Sequence, residues 1–219
     1  QLLNLQEGAK TTSATNLSTN CCFSMSKILI TGGSGFLGKN LANKLQKDHK
    51  VIIGSRNQPA LLGASKISNT EFIPLNVCSI ESIRDAIALH NPDTVIHAAA
   101  TKYVDWSEHF PLEAIDINVA GSVNLLRACR GSSVKRIIFI STDKSSPPVA
   151  NIYGLSKAII ERAFALSSQD DLKICCIRYG NVLWSTGSFL HVWSEMKTKD
   201  NHISSTGSNM TRFFFTIDD

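Results

Sequence analysis

"KILITGGSGFLGKNL" occupies residues 27–41, a short apolar run that breaks into a glycine-rich turn. Gly32, Gly35 and Gly38 fall at GxxGxxG spacing, with Ser34, Phe36 and Leu37 between and beside them. Glycines placed this way permit a tight turn, close approach of the backbone to a pyrophosphate, and close packing of a helix on the strand. The helix opening near Ser34–Gly35 aims free N–H groups and its positive end at the same point. A glycine triplet by itself is an ordinary strand-to-helix turn. Following the first strand and opening an amphipathic helix marked by Phe36, Leu37, Leu41 and Leu45, it reads as a dinucleotide-binding loop.

The pattern continues outward from this turn. Apolar runs recur at 50–55, 71–77, 93–99, 135–142 and 173–180, each continuous rather than alternating, as expected for strands covered on both faces. Helical patterns lie between them at 35–48, 80–89, 111–130 and 153–168. The alternation predicts an α/β fold, a Rossmann-like doubly wound parallel sheet with helices on both faces. Residues 25–180 are read as the dinucleotide-binding domain. After Gly180 the pattern weakens into a polar stretch that leads to "MTRFFFTIDD" (210–219). Residues 1–24 are rich in Ser, Thr and Asn, and carry neither a secretory signal nor the arginines of a transit peptide. A disordered leader is expected there.

Bulk properties narrow the function. A chain of 219 residues suits one domain with a small appendage, and no apolar run approaches the roughly 20 residues of a membrane span. Net charge is a mild +4 and no basic cluster is interleaved with aromatics, which argues against nucleic acid as a partner. The cysteines Cys21, Cys22, Cys78, Cys129, Cys175 and Cys176 include no CxxC spacing. They fit neither a disulfide framework nor a metal site, and read as reduced thiols in a cytoplasmic setting.

The second strand indicates which cofactor is expected. A cofactor lacking a 2′-phosphate usually meets an acid about 20 residues beyond the glycine loop, yet no acid occurs between Asp48 and Glu71. The strand ends instead in Gly54-Ser55-Arg56, and an arginine fork suits a phosphate, so NADP is favoured over NAD. Asn76 and Val77 end the third strand. Ala98, Ala99 and Ala100 end the fourth, small enough for a flat cofactor to lie across them. Lys102 beyond them is within reach of a phosphate or a substrate oxygen, and His97 reads as a packed strand histidine.

"ISTDKSSPPVANIYGLSK" (140–157) carries the chemistry. Tyr153 and Lys157 stand one helical turn apart on one face. A neighbouring ammonium favours phenolate, which predicts a lowered tyrosine pKa and a residue able to exchange a proton. Thr142, at a strand end, is placed to hydrogen-bond the same substrate oxygen.

With these residues assembled, the chain resembles the extended short-chain dehydrogenase/reductases, and among them the nucleotide-sugar 4,6-dehydratases of the CapD-like polysaccharide-biosynthesis group. The matching tracts are "ITGGSGFLG" (30–38), "HAAATKYV" (97–104), "STDK" (141–144), "YGLSK" (153–157), "RYGNV" (178–182) and "MTRFFFTIDD" (210–219). The resemblance implies that Tyr153 takes the proton of the sugar 4-hydroxyl while hydride passes from C4 to NADP. Lys157 then holds the nicotinamide ribose, and Thr142 completes the triad. It further implies that Lys144 is the base at C5 and Asp143 the acid for the departing 6-hydroxyl, with hydride returned to C6. A lysine at position 144 matches the C5-inverting enzymes acting on UDP-N-acetylglucosamine. Asn181 matches a substrate contact and Arg212 is placed toward the nucleotide; relatives often assemble as homo-oligomers.

The chain departs from the family in three places. Ser185-Thr186-Gly187-Ser188 stands where Ser-Arg-Gly-Ser is usual, Asn76 replaces a common aspartate near the adenine, and the family continues well past "MTRFFFTIDD" to finish its substrate lobe. The resemblance thus makes 25–180 the NADP-binding domain and 181–219 the start of a small, incomplete C-terminal substrate lobe. Two other readings compete. A UDP-sugar 4-epimerase shares the cofactor site and the Tyr–Lys pair but has no use for Asp143-Lys144. A non-catalytic NADP-binding module is a reading of a different class.

Overall fold

The computed structural model describes residues 25–64, 69–147, 149–203 and 211–219. The expected leader (1–24), Pro148 and Met210 lie outside them. Six strands form one parallel sheet: β1 (Lys27–Thr31), β2 (Lys50–Ser55), β3 (Thr70–Pro74), β4 (Thr94–His97), β5 (Arg136–Ile140) and β6 (Lys173–Ile177). Their order is β3-β2-β1-β4-β5-β6. The chain direction of assembly reverses between β1 and β4, and in open α/β sheets such a switch point is where ligands bind, at the carboxyl edge. This is the expected doubly wound, Rossmann-like fold.

Alternate strand residues feed two cores. Leu29, Ile52, Val95 and Ile137 point to one face, against α3 (Ile80–His90), α6 (Gly121–Cys129) and α7 (Ile152–Ser167). Ile28, Ile30, Val51, Ile53 and Ile96 point to the other, against α1 (Phe36–Leu45) and Leu61 of α2 (Gln58–Ala64). Fully burying a branched side chain of this size contributes about 1.5–3 kcal/mol, and opposing faces filled from the same strands explain why the runs read as continuous. That reading holds for the four inner strands but not for the edges. β3 keeps only Thr70 and Ile73 half-buried and β6 only Ile174 and Cys176, with Phe72 and Ile177 exposed, because each strand has a sheet neighbour on one side alone.

Two further differences concern helices. The single helix expected over 111–130 is three pieces: α5 (Pro111–Ala114), a π-helical segment Ile115–Ala120, and α6. Short helices α2 and α4 (Val104–His109) occupy segments without a clear period. The polar stretch after Gly180 contains α8 (Phe189–Asp200) and a small parallel pair, β7 (Asn181–Val182) with β8 (Phe214–Phe215). Phe189 stacks edge-on against Trp193 and meets Phe214, so an i, i+4 aromatic contact organises a segment whose composition looks like a loop. No helix among the described residues is long and apolar enough to cross a membrane.

Candidate active site

All six strands run in the same direction, so the residues that follow them gather on one rim. Gly32 leaves β1 with a φ of +67°, a conformation glycine adopts without strain. A Cβ there would lie 2.7 Å from the Cα of Ala99. The Ala98 N–H donates to the Thr31 carbonyl at 3.2 Å and the Ala99 N–H to Thr31 Oγ1 at 3.3 Å. These contacts press the β4 exit against the glycine turn. Ser34 Oγ donates to Ser55 Oγ at 2.6 Å, tying the turn to the end of β2. Gly38 is buried against Gly33 in the first turn of α1, while Phe36 and Leu37 are half-buried beside it. Helix α1 has no side-chain cap and no acid in its first turn. Its leading N–H groups therefore keep the donors and positive dipole end that suit a pyrophosphate.

The remaining rim residues are placed as follows. Arg56 is exposed just past β2. Asn76 turns its Oδ1 onto the Cys78 N–H at 3.1 Å, and Val77 is buried against Gly121. Lys102 Nζ donates to the Thr186 carbonyl at 2.6 Å, so segment 185–187 lies over the exit of β4; burial lowers that amine below its ordinary pKa. Arg212 Nη1 donates to the Thr211 carbonyl, one residue before Phe213, whose carbonyl accepts from the Asn181 N–H at 2.8 Å.

His97 is fully buried in a chain of hydrogen bonds whose directions can be assigned. The Ser122 hydroxyl donates to the Asn118 carbonyl, so Ser122 Oγ must accept from His97 Nε2 at 2.9 Å. That leaves Nδ1 as the acceptor from Thr31 Oγ1 at 2.6 Å. Burial, with Lys157 nearby, pushes the imidazole down to about 3. It is the packed, neutral strand histidine expected. Asn118, on the π-helical segment, bonds both backbone groups of Thr101 and the Ser156 hydroxyl, joining the β4 exit to α7.

The catalytic candidates meet at the exit of β5. Thr142 is 3% exposed and starts a 3₁₀ turn, Asp143–Ser145, whose Lys144 N–H donates to Thr142 Oγ1 at 3.3 Å. Lys144 Nζ lies 3.2 Å from Asp143 Oδ1 and 3.3 Å from Asn181 Oδ1. Tyr153 lies near Thr142, Asp143 and Tyr179, and the Thr142 hydroxyl donates to Asp143 Oδ1 at 3.1 Å. Asn151 caps α7 by accepting from the Gly154 N–H at 2.7 Å, and Glu108 of α4 accepts from the Ile152 N–H at 2.6 Å. Thr142, Asp143, Lys144, Tyr153 and Asn181 thus form one cluster.

One expectation is corrected. Tyr153 is not shifted toward phenolate: burial raises its pKa, Tyr179 and Asp143 add to the rise, and the nearby Thr142 hydroxyl only partly opposes them. Lys157 does not offset this. It is 3% exposed, donates to the Ile140 carbonyl at 2.9 Å and sits 4.6 Å from the centre of the Phe139 ring. Burial pushes Lys157 itself down to about 8, against an opposing pull from Glu161.

Several residues that shape the site were not singled out from sequence. Gly154 packs directly against the Lys144 carbonyl. Tyr179 follows β6 and stacks edge-on to Phe215. Glu161 and Arg178 pair beneath the Thr142–Ser146 turn. Glu161 stands one turn beyond Lys157, and that spacing was the available signal.

Residues 28–219 match the family described as "Polysaccharide biosynthesis protein". The chain is 33% identical over 206 residues to a UDP-N-acetylglucosamine 4,6-dehydratase (inverting) of Campylobacter jejuni, covering 90% of this chain and 61% of that protein. It is 34% identical over 205 residues to a UDP-glucose 4-epimerase of Rickettsia typhi, covering 88% and 59%. The chain therefore spans about three-fifths of the length of these curated relatives. Among solved structures, Pen from Bacillus thuringiensis superposes with a TM-score of 0.83 at 28% identity, covering 90% of this chain and 63% of that one. The chain belongs to the polysaccharide biosynthesis protein family, with the Rossmann-like fold of an extended short-chain dehydrogenase/reductase.

Proposed function

We propose that this chain carries the cofactor-binding and catalytic part of a nucleotide-sugar 4,6-dehydratase, acting on UDP-N-acetylglucosamine with inversion at C5 and using NADP. The observation that carries the reading is the Lys144 amine, set between Asp143 and Asn181 on a turn that Thr142 opens beside Tyr153. Dehydratase relatives in Campylobacter jejuni support it.

The residues present fit the cofactor. Gly32, Ser34, Gly35 and Gly38, with the uncapped start of α1, form a cradle for a pyrophosphate. Ala98–Ala100 line the sheet rim beside it, and Asn76 keeps its Nδ2 for the adenine side. Ser55 and the exposed Arg56 suit a 2′-phosphate, and no acid occurs in the sequence between Asp48 and Glu71. Bound NADP⁺ would accept hydride from C4, return it to C6, and add the positive charge that favours the Tyr153 phenolate.

The protein's own groups supply the proton transfers. Tyr153 takes the 4-hydroxyl proton, assisted by Thr142, and Lys157 binds the nicotinamide ribose. The 4-keto group that results acidifies C5–H. At 3.2 Å, one proton can pass from Lys144 to Asp143, leaving an amine base beside a carboxylic acid. Lys144 then removes the C5 proton while Asp143 protonates the departing 6-hydroxyl, which restores the ion pair. Asn181 holds Lys144 and the sugar. Lys102 and Arg212 are assigned to the nucleotide side, residues 25–180 to the NADP-binding domain and 181–219 to the start of the substrate lobe.

A second reading, UDP-sugar 4-epimerase, is favoured by the Rickettsia typhi relative. It uses Tyr153 and Lys157 but leaves Asp143 and Lys144 without a task. Incubation with UDP-N-acetylglucosamine and NADP, followed by mass, separates the two. Loss of water supports dehydration. An unchanged mass with altered stereochemistry supports epimerisation, and cofactor binding without any product supports a non-catalytic module.

A further inference from the structure

Glu161 lies outside the chemistry described so far, yet it is 9% exposed and more heavily bonded than any group in the cluster. Arg178 Nε donates to both of its oxygens at 2.9 Å, and Arg178 Nη2 adds a third bond. The Ser145 hydroxyl lies 2.8 Å from Glu161 Oε1 and 2.6 Å from the Thr142 carbonyl. Arg178 Nη1 also donates to Ser146 Oγ at 3.1 Å. Burial opposes charge on Glu161, but the bonds from Arg178 and the Ser145 hydroxyl outweigh it and hold the carboxyl below its usual pKa.

We propose that Glu161, clasped by Arg178, is a positioning residue that fixes the Thr142–Ser146 turn against α7 and keeps Lys157 charged. The first task follows from geometry. The turn carrying Asp143 and Lys144 is pinned by Gly154 at one end and by the Ser145 and Ser146 hydroxyls at the other. Backbone bonds from Asp143 N–H to the Tyr179 carbonyl (3.0 Å) and from Ser141 N–H to the Ile177 carbonyl (2.7 Å) bring the exit of β6, and with it Arg178, alongside. The second task follows from placement. Lys157 is one turn from both Tyr153 and Glu161 on α7; β4 presents neutral His97, β5 presents the Phe139 ring and the Ile140 carbonyl, and Arg178, just past β6, is already paired to Glu161. Glu161 is therefore the one negative group that acts on Lys157 among the described residues, and it works against the burial that would strip the ammonium of its proton.

For turnover this rests on the dehydratase reading; for cofactor binding it does not. The test titrates NADP⁺ onto the chain by tryptophan fluorescence from neutral to alkaline pH. Parent affinity is expected to weaken as pH rises through about 8, where Lys157 loses its proton. Glu161→Gln is expected to move that midpoint down by about one unit or more, the usual effect of removing an opposite charge one helical turn away. Glu161→Asp, which keeps the charge, retains the parental midpoint. Ser145→Ala, which leaves the ion pair intact, also retains it but lowers kcat about tenfold or more with little change in KM, because small displacements of reacting groups cost this much. A flat parental titration, an unmoved midpoint in Glu161→Gln, or a moved one in Glu161→Asp overturns the proposal. If the parent binds NADP⁺ with these midpoints but never dehydrates UDP-N-acetylglucosamine, the dehydratase reading fails and the charge assignment stands.

Discussion

Gly154 sits so close to the carbonyl oxygen of Lys144 that no Cβ fits between them. The first turn of α7, which presents Tyr153, is in this way stacked on the turn that presents Lys144. The obstructing atom is backbone, so it cannot swing aside as a flexible side chain would. Gly154→Ala is expected to cost about 1–3 kcal/mol through overpacking. Urea unfolding checks the stability. The same substitution also lowers turnover, because it parts Lys144 from Tyr153.

Lys144→Ala removes the proposed C5 base without touching the glycine cradle. Dehydration is expected to fall about 10²–10⁴-fold, the usual contribution of a general base. NADP affinity, read by fluorescence, stays within about twofold of the parent, a change worth only ~0.4 kcal/mol. A variant that releases water at the parental rate removes Lys144 from the mechanism.

Arg56→Ala separates the two dinucleotides. A lost charge-assisted contact to a 2′-phosphate is worth about 1.5–3 kcal/mol, so NADP affinity is expected to drop about ten- to a hundredfold. NAD, lacking that phosphate, is expected to bind nearly as before. Paired titrations of both cofactors make the comparison, and equal losses reject the phosphate contact.

His97 gives a pH dependence of stability with a defined sign. Its pKa is about 3 in the folded chain and 6.5 when exposed, so between those values the unfolded chain binds one more proton. The stabilisation is fully present above pH 6.5 and is lost as pH falls toward 3. The loss approaches about 1.4 kcal/mol per pH unit from this one group. Urea midpoints measured down this range are expected to flatten by that amount in His97→Asn relative to the parent.

How legible the site was follows from where its information lies. The glycine turn, the inner strands, Tyr153 and Lys157 depend on local spacing, and their positions follow from it directly. Lys144 and Asp143 carry no local signal beyond a turn before proline, and only the family resemblance singled them out. Tyr153's environment could not be read from its neighbour at i+4, since burial and the proximity of Tyr179 are set by how β6 exits beside β5. Helix α8 was hidden because its order comes from aromatic contacts to β8, a partner distant in sequence. The Glu161–Arg178 clasp joins α7 to the residue that follows β6 for the same reason.

The central claim is that oxidation at C4 is coupled through Asp143 and Lys144 to loss of water across C5 and C6. The most direct measurement uses UDP-N-acetylglucosamine carrying deuterium at C4, with NMR of the product. The account predicts a 4-keto-6-deoxy sugar with the deuterium in its C6 methyl group. Deuterium still bound at C4 of a sugar that has kept its 6-hydroxyl would contradict it.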